Sequence, residues 1–153
     1  QIFFSDAGEA FGAKCRDVTE FLADVGLSAT PAPTRLRVAY DDPCHLCHAQ
    51  RVTQAPRELL SQVPEIELVA HPTASDCCGS AGIYNLIHDQ LASQIGRRKV
   101  EALTQAQPDV VVTGNPGCMM QLRAHARAAN ANFPVRHTVE LLLPPPNSLE
   151  ATS

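Results

Sequence analysis

The run Val110-Val-Val-Thr-Gly-Asn-Pro-Gly-Cys118 governs how the rest of the chain is understood. Its β-branched start is a short strand, Val110–Thr113, because such side chains suit a pleated, covered surface. Gly114 and Gly117 follow where the backbone must turn sharply or lie against something bulky. The chain then enters a helix, read over 119–129, so a cysteine stands at the carboxyl end of a strand. The same succession occurs twice upstream. Leu36-Arg-Val-Ala-Tyr40 leads through Asp41-Asp42-Pro43 to Cys44 and Cys47, then to a helix over 55–62. Ile66-Glu-Leu-Val-Ala70 leads to Cys77 and Cys78, the loop Cys78-Gly79-Ser80-Ala81-Gly82, and a long helix over 89–105. A last strand is read over 135–139. Alternating strands and helices predict an α/β fold, a three-layer Rossmann-like parallel sheet with helices on both faces and right-handed crossovers.

Toward the N-terminus, the apolar residues Phe11, Cys15, Val18, Phe21, Leu22 and Val25 recur at steps of three and four. One amphipathic helix over 5–25 is predicted, capped by Ser5 or Asp6 and closed by Gly26, with Cys15 in its apolar face. A Pro-punctuated linker follows over 28–34. The expected organisation is an N-terminal helix and linker over 1–34, an α/β domain over 35–143, and a disordered tail over 144–153. Gln1 in place of Met, with Phe3 and Phe4 lacking local context, reads as the start of a segment of a longer chain.

Composition narrows the function. The 153 residues are 44% hydrophobic and 18% charged, enough for a core without disulfides. Sixteen acids against twelve bases argue against a nucleic-acid binder, which needs a Lys/Arg excess to neutralise phosphates. No apolar run is long enough to span a membrane and no signal peptide is visible, so a cytoplasmic protein is expected. Six cysteines in such a protein point to metal or redox chemistry.

Five of them, Cys44, Cys47, Cys77, Cys78 and Cys118, follow strands. In an open parallel sheet all carboxyl ends share one edge, where ligands bind. Loops of neighbouring strands about 4.8 Å apart can bring their thiols together. Helix N-termini there would lower thiol pKa values, and soft thiolates select iron–sulfur clusters or zinc. Cys44-His-Leu-Cys-His48 also matches a c-type haem attachment string and a thioredoxin-like pair, but either reading leaves Cys77, Cys78 and Cys118 idle.

Asp42-Pro-Cys-His45, Asp76-Cys-Cys-Gly-Ser-Ala-Gly82 and Gly114-Asn-Pro-Gly-Cys118 resemble the cysteine-rich CCG domain of heterodisulfide reductases and related oxidoreductases. The run from Cys77 to Leu86 is similar to the C-terminal half of glycolate oxidase iron-sulfur subunits. The resemblance implies that 35–143 is a cluster-binding domain with Cys44, Cys77, Cys78 and Cys118 as ligands of an iron–sulfur cluster, four-iron four-sulfur (4Fe-4S) being the expected type. It further implies electron transfer in a glycolate or other 2-hydroxy-acid oxidase. The implied partners are a flavin subunit holding FAD and an N-terminal ferredoxin-like region of the same subunit, with the inner face of the membrane as a peripheral location. Two departures stand out. Cys118 is followed three residues later by Gln121 where the family pattern has a second cysteine, and Cys47 lies outside the motif. A zinc-binding or metal-free interaction module is the alternative from another class.

The remaining candidates have plainer readings. His45 and His48 are expected beside the site as hydrogen-bonding neighbours of ligands. His71 and His137 are read as structural or exposed, His88 and His125 as surface helix residues. Tyr84 is expected to pack, with Asn85 as a candidate pocket residue, and Met119-Met120 to be helix core. Asp41 and Asp42 are read as caps and turn formers, and Arg97-Arg98-Lys99 as a solvated face.

Overall fold

The computed structural model describes residues 6–28, 31, 33 and 35–143; the readings for Phe3, Phe4, the Ser5 cap, part of the linker and the 144–153 tail lie outside them. Four parallel strands form one sheet: β1 (Leu36–Tyr40), β2 (Ile66–Val69), β3 (Val110–Thr113) and β4 (Val135–His137), in the order β2-β1-β3-β4. Leu36 pairs with Ile66, Val38 with Val110, and Val111 with Val135. The first three strands fall where the β-branched runs put them. The fourth is shorter than read, because the chain tightens after His137 into a 3-10 turn, Thr138–Leu141, held by a reciprocal His137 and Glu140 cap. Both outer strands are short and carry an exposed charge, Glu67 on β2 and Arg136 on β4.

Alternate side chains point to opposite faces of a strand, and here they divide the core in two. Val38, Tyr40, Val110 and Val112 meet Leu60 of α3 (Gln54–Ser61) and Leu141 on one face. Ala39, Val111 and Val135 meet Val100 and Leu103 of α5 (Asp89–Ala106) and Leu122 and Ala126 of α6 (Pro116–Ala128) on the other. The result is the expected three-layer α/β arrangement.

The N-terminal segment departs from its single-helix reading. It forms α1 (Asp6–Gly12) and α2 (Val18–Val25), broken before Asp17. Asp17 accepts from the Thr19 N–H at 2.8 Å while Glu20 accepts from the Asp17 N–H at 3.2 Å, a capping box that starts a new helix. Gly26 closes α2 as expected, its N–H donating to the Leu22 carbonyl. The stripe is not the buried one anticipated: Phe11, Val18, Phe21 and Val25 are exposed, and α2 instead leans Leu22 and Ala23 on Leu59 and Val63. Cys15 is likewise exposed rather than core. Among the described residues no helix is long and apolar enough to cross a membrane.

Candidate metal centre

The carboxyl ends of β1, β2 and β3 lead into three differently built segments. After β1, Cys44 opens a π-helical turn, His45–Gln50, pinned by the buried Leu46. Such turns are rare and cluster at functional sites. After β2, the chain passes through turns at 72–76 to Cys77 and Cys78, then a short helix, α4 (Tyr84–Ile87). Neither the π-turn nor α4 has a periodicity long enough to be read in advance. After β3, Asn115 caps α6 by accepting from the Cys118 N–H at 3.0 Å, with Pro116 as the first helical residue. Cys118 therefore sits in the first turn of a helix that begins three residues earlier than read, and the Asn-Pro pair is the signal for it.

Gly79 shows why the Cys-Cys pair is followed by glycine. Its φ is +90°, and a Cβ there would lie 2.6 Å from the Ala92 carbonyl oxygen of α5. Its N–H donates to Cys77 Sγ at 3.3 Å.

The sulfur atoms gather from all three segments. Cys78 and Cys118 are buried, with their Sγ atoms 3.1 Å apart, well beyond the roughly 2.04 Å of a disulfide. Cys44 and Cys77 are half-buried, and the Cys44 thiol is within hydrogen-bonding reach of Cys77. The hydrogen bond between the Cys78 and Cys118 sulfurs holds Cys78 down to about 6 against burial, with help from the Ser80 N–H and the Lys99 ammonium. Cys118 is pushed up by the same bond and by burial, and Cys77 is pushed up chiefly by burial. For Cys77 and Cys118 the expected lowering is reversed, because desolvation and neighbouring thiols raise both, whereas Cys78 is lowered as expected.

Cys44, Cys78 and Cys118 line a cleft of about 720 Å³, with His45, Asn85 and Gln121 around them, while Cys77 lines a separate cavity with Asp76 and Lys99. Asn85 donates to Gln121 at 3.1 Å, and Gln121 reaches the His125 ring at 3.2 Å. The residue standing where the family pattern has a second cysteine thus belongs to an amide network on the cleft wall. Leu86 and Met120 line the mouth and are 79% and 66% exposed, so Met120 is not the core residue expected while Met119 is packed. His125 is half-buried, its ring where a Gly96 Cβ would be. Tyr84 packs on the His88 ring at 4.6 Å.

Other candidates stand apart. Cys47 does not line the cleft and lies toward Arg57. His48 is exposed and bonds the Ser75 carbonyl at 2.9 Å, tying the π-turn to the segment before Cys77. His71 is buried between Thr73 and the Tyr40 carbonyl, and desolvation lowers its pKa. Three residues read as surface or turn formers are buried instead. Lys99 is 1% exposed and lies 2.8 Å from the equally enclosed Asp41 Oδ1, while Arg97 and Arg98 of the same run are exposed. Asp42 is held by both Arg57 nitrogens at 2.7 Å.

The donor set suits an iron–sulfur cluster: soft sulfur ligands from three segments, a backbone N–H aimed at one sulfur, and an open cleft beside them. Among the described residues no three His, Cys, Asp or Glu side chains are gathered tightly enough to hold a single metal ion.

A family model for the cysteine-rich domain designated CCG matches residues 38–123. A fumarate reductase (CoM/CoB) subunit of Methanothermobacter marburgensis is 35% identical over 70% of this chain and 22% of its own length. A probable glycolate oxidase iron-sulfur subunit of Bacillus subtilis is 31% identical over 92% of this chain and 32% of its own, and the glycolate oxidase iron-sulfur subunit of Escherichia coli 30% identical over 91% and 33%. The chain thus spans less than half the length of each of these relatives.

Proposed function

The chain belongs to the cysteine-rich CCG family, and on that footing we propose that it is an iron–sulfur electron-transfer domain with Cys44, Cys77, Cys78 and Cys118 as the cluster ligands. The observation that supports this reading is the arrival of Cys44, Cys78 and Cys118, from three segments far apart in sequence, around one cleft, with Cys77 next to Cys78 and within reach of Cys44. A bound cluster, 4Fe-4S by ligand count, would accept and pass on single electrons. The chain's own residues supply the surroundings: the Gly79 N–H donates to one sulfur, Asn115 fixes the helix turn that presents Cys118, and Cys78 is already biased toward thiolate.

The oxidised substrate would be glycolate or a related 2-hydroxy acid, in keeping with the names of the glycolate oxidase relatives, and the electron source a flavin subunit carrying FAD. A ferredoxin-like region of the same subunit would relay the electrons, in the cytoplasm and at the inner face of the membrane. The hydroxy-acid chemistry would fall to that flavin partner.

Anaerobic reconstitution with iron and sulfide tests the reading. Equal amounts of iron and sulfide per chain, with visible absorption that bleaches on reduction, are expected. Stoichiometric zinc without a redox signal would instead make the domain an interaction module. Cys78→Ser should lose most of the bound iron; full cluster content in that protein would remove Cys78 from the ligand set.

A further inference from the structure

Lys99 sits among residues that look like a solvated face and is almost wholly enclosed. A buried ammonium must be compensated, and its partners here are specific. Nζ lies 2.8 Å from Asp41 Oδ1 and donates to the Asp76 carbonyl. Asp41 follows the last residue of β1, three positions before Cys44. Asp76 immediately precedes Cys77. One side chain on α5 therefore touches two of the three sulfur-bearing segments at their roots. It also lies close enough to Cys78 to favour that thiolate. Two further bonds join the same segments, Asp42 N–H to the Ala74 carbonyl at 3.0 Å and His48 to the Ser75 carbonyl, and Lys99 adds to them an anchor on α5.

We propose that Lys99 is a positioning residue for the cysteine site: its enclosed ammonium clamps the end of β1 to the segment carrying Cys77 and Cys78, and so sets the spacing of their sulfurs. The consequence for cluster uptake rests on the function proposed above; the clamp itself is a property of the metal-free chain.

A single Lys99→Met change would leave Asp41 enclosed without a partner, so a folding defect would mask the effect. The double variant Lys99→Met/Asp41→Leu removes both charges, and replacing an enclosed ion pair by apolar side chains is often neutral or stabilising. It should unfold in urea at or above the wild-type midpoint. In metal-free protein, alkylation of Cys77 by iodoacetamide, followed by mass spectrometry, should run about tenfold faster, as the loss of one charge-assisted hydrogen bond allows the segment to open. After anaerobic reconstitution, iron per chain should fall below half of wild type.

Asp41→Asn gives a second reading that survives a misfolded double variant. It keeps the ammonium on Asp76 and loosens its hold on β1, so alkylation should rise at Cys44 and stay unchanged at Cys77 and Cys78. Labelling equal to wild type in both variants overturns the clamp. If wild-type protein takes up no iron and sulfide, the electron-transfer reading fails while the labelling still decides the role of Lys99.

Discussion

On the α3 face of the sheet, Asp42 accepts two hydrogen bonds at 2.7 Å from a half-buried Arg57, whose guanidinium lies 4.8 Å over the Tyr40 ring. On the α5 face its neighbour Asp41 is fully enclosed, faces Lys99 at 2.8 Å, and has no well-directed hydrogen bond to either oxygen among the described residues. Two consecutive aspartates thus meet opposite solutions. The first is planar, bidentate and open to water on one side. The second is a pair of charges in a dry place, where desolvation competes with their attraction. The less well directed of the two ion pairs thus lies on the face that carries Cys78 and Cys118.

Removing one member of each pair should separate the two faces. Asp41→Ala strands a buried ammonium and should cost about 3–5 kcal/mol in urea unfolding. A loss no larger than that of Asp42→Ala would erase the contrast. The same carboxyl should leave a pH signature. Burial pushes Asp41 up to about 7 against the pull of Lys99, with His71 at 3.8 Å and Cys78 and Asp42 also within range. The folded chain keeps a proton there that an unfolded carboxyl, at about 3.9, gives up. Stability carried by this group therefore falls as pH rises from about 4 to about 7, by at most about 1.4 kcal/mol per pH unit. Asp41→Asn should remove that slope; a difference between the two proteins that stays constant across the range would contradict it.

Smaller effects probe the same contrast from the other side. Asp42→Ala should cost only about 1–2 kcal/mol, because the freed Arg57 can turn toward water. Far from both pairs, Asp17→Ala should cost about 1 kcal/mol through loss of the α2 cap. It should leave alkylation of Cys77 and Cys78 unchanged, and altered labelling would mean that α2 supports the cysteine site.

What is legible in the sequence follows from the range of the forces involved. The strands are readable because Val110-Val-Val-Thr and Leu36-Arg-Val-Ala-Tyr40 declare themselves locally, and with them the shared edge where cysteines gather. The split at Asp17 and the early start of α6 are also written locally, as Asp17 with Glu20 and as Asn115 with Pro116, but a longer apolar periodicity runs across the first and hides it. Lys99 is not legible. Its partner Asp41 is distant in the chain, and an Arg-Arg-Lys run looks the same on paper whether or not its last member turns inward. Nor is the place of Gln121 in an amide network with Asn85 and His125, which depends on how α4 and α5 pack beside α6.

The brevity of β2 and β4 bears on assembly. Among the described residues each border of the sheet is a strand of only three or four residues, marked by Glu67 or Arg136, and such short, charged borders resist extension by a visiting strand. A larger complex built on this domain would therefore be joined through side chains and loops, leaving the order of its hydrogen-bonded ribbons unchanged.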